Sequence, residues 1–256
     1  MTDQVLIEKA AGVLTLTLNR PEKKNSLTPE MYSTLGGEID KANDDRDVRC
    51  ILIQANGDMF TAGNDLAEFS AINAGEVTGP PAATPLLVAL ARARKPLVAA
   101  VHGRAVGVGL TMLLHCDLVY VAQEALLSTP FVNLALVPEA ASSALLPARI
   151  GHARAFALFV LGETIDGRTA AEWGIANAAL PAAEVQAKAR AAAEAVAARP
   201  PAAVAITKSL MRDPAALAQR VEDEFVHFGA QLKSPEAKEA FAAFMEKRPA
   251  DFSKVA

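Results

Sequence analysis

Three stretches of the chain carry residues whose types and spacing could do chemistry. In Pro130-Phe131-Val132-Asn133-Leu134-Ala135-Leu136-Val137-Pro138-Glu139-Ala140, one acid, Glu139, sits between the apolar runs Leu134 to Val137 and Ala140-Ala141. A lone glutamate is ordinarily a solvated surface residue. Its apolar flanks argue the other way, and an apolar wall of Leu136, Val137 and Phe131 would raise its pKa by desolvation. The second stretch, Phe60-Thr61-Ala62-Gly63-Asn64-Asp65-Leu66, bunches small residues after Gly57, so that a ligand could approach the backbone. Equally, it could be a plain strand-to-helix turn capped by Asp65. The third, Val98 to Gly109, reads as a strand entering a glycine-spaced turn that opens a helix. Free N–H groups at a helix start donate to an anionic oxygen, and the helix dipole has the matching sign.

Other constellations carry less. The glycines at 103, 107 and 109 do not fit G-x-G-x-x-G and no N-terminal βαβ unit frames them, so a dinucleotide site is set aside. His115-Cys116-Asp117 cannot all face one ion from a regular element, and no metal site is expected. Ser142-Ser143 with His152 lacks the G-x-S-x-G elbow of a serine hydrolase and reads as polar residues near a helix start. His102 and His227 have no evident partner, and Trp173 reads as a core residue near a turn.

The elements that must position these groups read as α/β. Alternating runs at Val13 to Leu18 and Cys50 to Ile53 predict strands. Between them a helix starts at Thr28-Pro29, with Met31, Leu35 and Ile39 on one face. Pro96 to Val101 and Asp117 to Ala122 are further strands, flanking two helical turns at Val108 to His115. Ala71 to Pro85, rich in turn formers, reads as a loop. Beyond about residue 184 the chain is alanine-rich and helical, with helices at Ala202 to Arg212, Pro214 to Leu232 and from Ser234-Pro235. The division expected is a core over residues 1–195 and a helical region over 196–256.

With 256 residues and a net charge of -4, the chain can bury a sizeable core, and its scattered basic residues give no nucleic-acid footprint. No apolar run reaches the roughly 20 residues of a bilayer span, and the N-terminus lacks a secretory h-region. Cys50 and Cys116 lie in apolar stretches, as expected of free thiols in a reducing, cytoplasmic setting. The expected protein is soluble, with no membrane or nucleic-acid partner.

Together, the segments Phe60 to Leu66 and Val98 to Gly109 resemble the paired oxyanion-hole segments of the crotonase, or enoyl-CoA hydratase/isomerase, superfamily. Asn19-Arg20-Pro21-Glu22-Lys23-Lys24-Asn25-Ser26-Leu27 resembles its opening signature, and Ala240-Phe241 through Glu246-Lys247-Arg248 its C-terminal one. The resemblance implies a spiral of ββα units with a helical C-terminal region, assembled as a homotrimer or a pair of trimers that acts on acyl-CoA in lipid metabolism. It places the thioester-oxygen donors at the Asn64 and Val108 amides, Val108 standing where hydratases usually have glycine. Lys24, Ser26 and Leu27 would meet the adenine end of CoA, and Ala62, Asn64, Asp65 and Leu66 the pantetheine, with Gly63 also at the substrate. Gly107, Phe131 and Leu136 would line the acyl site, and Phe228 and Lys247 match C-terminal positions that reach CoA. No separate cofactor is expected, since CoA is part of the substrate.

The two glutamates with which hydratases activate water align with Thr111 and Phe131, and neither can do acid/base work. Glu139, eight residues after Phe131, matches the catalytic glutamate of peroxisomal-type Δ3,Δ2-enoyl-CoA isomerases, which this segment resembles. A single-glutamate proton shuttle that moves a double bond is therefore the expected reaction. The alternatives are an enoyl-CoA hydratase, another enolate-forming acyl-CoA enzyme, and a non-catalytic acyl-CoA binder.

Overall fold

The computed structural model describes residues 4–76 and 81–255. It opens with a hairpin that the sequence reading half missed, β1 (Val5–Ala10) antiparallel to β2 (Val13–Leu18). Ala11 and Gly12 at its tip both have positive φ, as a two-residue hairpin turn requires. β1 escaped because it is a sheet edge exposed along most of its length, with little apolar alternation. Helix α1 (Pro29–Asp44) begins as expected, the Thr28 hydroxyl accepting from Met31 N–H, with Met31, Leu35 and Ile39 buried. Then come β3 (Cys50–Ala55), α2 (Leu66–Asn73) and α3 (Thr84–Arg92). The expected loop over Ala71 to Pro85 is thus corrected at both ends, because α2 runs through Asn73 and α3 starts at Thr84, burying Leu86, Leu87 and Leu90. Residues 77–80 of that loop lie outside the described set.

The middle of the chain alternates between two sheets. Strands β4 (Leu97–Val101) and β5 (Arg104–Val106) precede α4 (Val108–Thr111), which continues as a 3-10 turn to His115. Strands β6 (Leu118–Ala122) and β7 (Leu126–Ser128) precede α5 (Ser142–Ile150) and α6 (His152–Phe156). Then follow β8 (Thr164–Asp166), α7 (Gly167–Glu172) and β9 (Ala178–Leu180). One sheet has the order β1-β2-β3-β4-β6-β9, parallel from β2 onward, and the other the order β5-β7-β8. Two successive passes, β4-β5-α4 and β6-β7-α5, each lay one strand in each sheet before a helix, the repeat expected of a ββα spiral. Strands β2 and β4 are buried along their whole length, as parallel strands covered on both faces must be.

Four helices close the chain: α8 (Ala182–Ala197), α9 (Pro201–Met211), α10 (Pro214–Leu232) and α11 (Pro235–Met245). Helix α8 buries Val185, Ala189, Ala193 and Ala197 against β3, β4 and β6. It runs through the division expected at 195/196 and belongs to the sheet layer, because small alanine side chains let it lie close on the strands. Cys50 and Cys116 are free and buried, and burial pushes both thiols up to about 12. Among the described residues no helix is long and apolar enough to cross a membrane.

Candidate active site

The segment from Asn19 to Leu27 is built into the site by side-chain bonds. Asn25 accepts from Arg20 N–H through Oδ1 and donates through Nδ2 to the Asn56 and Met59 carbonyls. The Thr61 hydroxyl donates to Asn25 O at 2.6 Å and accepts from Gly63 N–H. Main-chain bonds from Ala62 N–H to Lys24 O and from Leu27 N–H to Gly63 O finish the seam. Residues 60–64 are thereby fixed against the opening signature.

On its other side the same segment runs parallel to β5. Phe60 N–H bonds His102 O, Thr61 N–H bonds Arg104 O, and Val106 N–H bonds Thr61 O, with Thr61 opposite Ala105. Asn64 and Val108 each lie three residues beyond that pair, so the register carries their amides to corresponding positions of neighbouring parallel chains. Both approaches depend on glycine. A Cβ on Gly63 (φ +91°) would stand 2.8 Å from Val106 O, and Gly107 has φ 57° and ψ -116°, outside the range of L residues. Val108 is fully buried and opens α4, where its N–H has no intrahelical partner.

Glu139 is 2% exposed. The Thr111 hydroxyl donates to its Oε1 at 2.5 Å, and Oε2 is buried with no partner among the described residues. Desolvation pushes its pKa up to about 8, the Thr111 hydrogen bond working against that rise and the neighbouring Glu224 charge with it. Glu139 and Asn64 line one cavity with Phe69, Pro81 to Ala83, Phe225 and Phe228. At about 10 Å³ it holds roughly one water. The Phe69 and Phe228 rings meet edge-on with centroids 5.8 Å apart in its wall, so a group larger than a water fits only if that wall moves. Roomier cavities, of about 280 Å³ beside Arg94, Lys208 and Arg212 and about 510 Å³ beside Lys238 and Met245, contain no acid in their linings.

Of the residues expected to bind substrate, Glu139, Asn64 and Phe228 share this cavity. Phe131 and Leu136 are buried, and the Phe131 ring lies 3.9 Å from where a Gly107 Cβ would be. Leu27 is fully buried and Ala62 half-buried. Lys24 is exposed and paired with Asp58, while Arg20 bonds both the Ser26 hydroxyl and Asp65. Leu66 begins α2, and its side chain lies outside the described set. Lys247 is exposed just beyond α11 and is not part of the cavity wall.

Three residues at the site were misread from the sequence. Thr111 counted as a lost acid yet contacts the remaining one. His115 looked like a failed metal ligand, and it is buried with Nε2 2.7 Å from Ala140 O. Glu224 drew no attention. It is 6% exposed, accepts from Ala141 N–H and Ser143 N–H, and sits on α10 where Val221 and Phe228 set a buried stripe. An acid on the apolar stripe of that helix was the one sequence hint, and it names no partner. His102, expected to lack a partner, has Nε2 3.0 Å from Gly57 O. Trp173 packs on the core with the Arg154 guanidinium 4.7 Å above its ring.

A model of the enoyl-CoA hydratase/isomerase family matches residues 8–255. The chain is 36% identical over 184 residues to 1,2-epoxyphenylacetyl-CoA isomerase of Escherichia coli, covering 68% of this chain and 69% of that protein. It is 32% identical to a protein of Bacillus subtilis described as "Probable enoyl-CoA hydratase", over 94% of this chain and 95% of that one. Enoyl-CoA delta isomerase 2 of Rattus norvegicus is 30% identical over 96% of this chain and 64% of its own length. Among solved structures, an enoyl-CoA hydratase/isomerase from Pseudoalteromonas atlantica superposes with a TM-score of 0.92 at 42% identity, covering 98% of this chain and 100% of that one. With a family model spanning nearly all of it, the chain belongs to the enoyl-CoA hydratase/isomerase family and has the crotonase fold.

Proposed function

We propose that this chain is an enoyl-CoA isomerase that moves a double bond from the 3 to the 2 position of the acyl group, with Glu139 as its single acid/base. The supporting observation is the state of that side chain: one buried carboxyl, pushed up to about 8, with one oxygen lacking a partner among the described residues, in a residue that lines a cavity together with Asn64. A base poised near neutral pH takes a carbon-bound proton and can give it back.

The ionised Glu139 removes a proton from the carbon next to the thioester carbonyl. Charge moves onto the thioester oxygen, where the Asn64 and Val108 amides receive it; each such donor is worth about 3 kcal/mol in the transition state. The resulting dienolate takes the same proton back at the gamma carbon, leaving the double bond conjugated with the thioester. No water is consumed, and the apolar wall of Phe69, Phe225 and Phe228 keeps bulk water out. CoA runs past Lys24, Ser26, Leu27, Ala62, Gly63 and Asp65, with Gly107, Phe131 and Leu136 at the acyl end. A homotrimer or hexamer would cover exposed apolar residues of α9 and α11 such as Leu210, Met211 and Met245.

A hydratase is the second reading, favoured by the presence of Glu224 near Glu139, since two acids can hold a water. Each Glu224 oxygen already accepts from a main-chain amide, and Glu224 is not in the lining of the cavity that Glu139 shares with Asn64, so it is poorly placed for that task. The deciding measurement is Glu139→Gln with a 3-enoyl-CoA, followed by the ultraviolet absorbance of the conjugated product. Turnover should fall by ~10²–10⁴-fold. Near-wild-type turnover, or a wild type that hydrates crotonyl-CoA faster than it isomerises the 3-enoyl thioester, would overturn the assignment.

A further inference from the structure

We infer that Glu224 is a positioning residue for Glu139, holding with His115 the turn on which that acid is mounted. Glu139 is followed by two alanines in the left-handed region, Ala140 at φ 62° and Ala141 at φ 56°. L residues resist that conformation, so the surroundings must impose it. The peptide unit between the two alanines is gripped at both ends. Its N–H donates to Glu224 Oε2 at 2.6 Å, and its carbonyl lies 2.7 Å from His115 Nε2.

The tautomer of His115 follows from its other neighbour. Arg212 Nη2 lies 3.2 Å from Nδ1, and a guanidinium only donates, so Nδ1 accepts and Nε2 carries the proton given to Ala140 O. Burial keeps the ring neutral, its pKa lowered to about 3. Glu224 Oε1 takes Ser143 N–H at 2.9 Å, so one carboxylate also satisfies an amide in the first turn of α5. A carboxylate there meets the positive end of the helix.

Glu224 therefore acts through geometry. It sits on α10, whose Phe225 and Phe228 wall the Glu139 cavity, so one helix sets both the wall and the turn beneath the base. Glu224 acts on Glu139, and Arg220, one turn earlier on α10, acts on Glu224.

The inference rests on Glu139 being the base, and the test separates the two. In Glu224→Gln, the amide presents a donor to one of the two N–H groups, and the charge beside Glu139 is gone. With a 3-enoyl-CoA, kcat should fall ~10–100-fold with KM within about threefold, the mark of a misplaced catalytic group. The acid limb of the kcat/KM profile should move to lower pH, because a negative neighbour that favoured protonation has been removed. Glu224→Asp, which keeps charge and acceptors, should recover part of kcat and leave the limb in place. Far-ultraviolet circular dichroism sets the folded fraction for each variant. Wild-type kcat in folded Glu224→Gln, or a loss with the limb unmoved, overturns the inference. If Glu139→Gln is inactive while Glu224→Gln is unimpaired, only the positioning role falls; an active Glu139→Gln removes the base assignment first.

Discussion

The Thr111 hydroxyl donates to one oxygen of Glu139 while the other oxygen is buried without a partner among the described residues. That asymmetry assigns different tasks to the two oxygens. One is held by α4, and the other is the one that the proposed mechanism uses. The hydrogen bond favours the ionised carboxyl and so opposes desolvation. In Thr111→Val, a near-isosteric change, that opposition disappears and the pKa of Glu139 rises further. The midpoint of the acid limb of kcat/KM should then move to higher pH, lowering activity severalfold at neutral pH and little at alkaline pH. The shift is opposite in sign to that expected for Glu224→Gln, and a downward shift would mean that the hydroxyl does not stabilise the charged form.

A raised carboxyl pKa is also a statement about stability. Glu139 has a folded pKa of about 8 against an ordinary 4.5, so between those values the folded chain binds more protons than the unfolded one. Its contribution is fully present below about pH 4.5 and is lost as pH rises toward 8, at up to about 1.4 kcal/mol per pH unit. Glu139→Gln cannot ionise and escapes this loss. Relative to wild type, the variant should gain stability steadily between pH 5 and pH 8.5 in denaturant titrations. A difference that stays flat with pH would place the carboxyl's titration outside that window.

How far the sequence spoke for the structure depended on how local each signal was. Thr28-Pro29 announced α1 and Ser234-Pro235 announced α11, because caps and prolines act within one turn. The three-residue strands β5, β7 and β8 are too short to show alternation, and they form only because the larger sheet brings them together. Asn64, Val108 and Glu139 could be placed by motif. Glu224 could not, since its partners Ala141 and Ser143 lie 83 and 81 residues away and its neighbours Glu222 and Asp223 are ordinary exposed acids.

The turn before Val108 gives a backbone test of the proposed oxygen site. Gly107 occupies φ 57° and ψ -116°, a conformation that an L side chain enters only under strain. Gly107→Ala should cost about 1–3 kcal/mol of stability or force the peptide to rotate, turning the Val108 amide away. We expect kcat to fall by an order of magnitude or more with little change in the affinity for CoA itself, measured by calorimetry. Gly37→Ala, in α1 with open space at its Cβ, serves as the control and should be neutral to slightly stabilising. Equal effects of the two changes would detach Gly107 from the chemistry.

Phe228 bears on which acyl groups are accepted. Its ring is 3% exposed, packs edge-on against Phe69 and walls the cavity that Glu139 and Asn64 share. In a cavity of about 10 Å³, that ring is one of three phenylalanine rings in the wall beside the base. Phe228→Ala should cost ~3–5 kcal/mol of stability, because the surrounding helices relax only in part around the lost ring. The same space should admit bulkier acyl groups near the reacting carbons. Across a series of 3-enoyl-CoA thioesters, kcat/KM should therefore fall for the short straight chain and hold or rise for longer or branched ones. A uniform loss across the series would show that Phe228 supports the fold without shaping the acyl site.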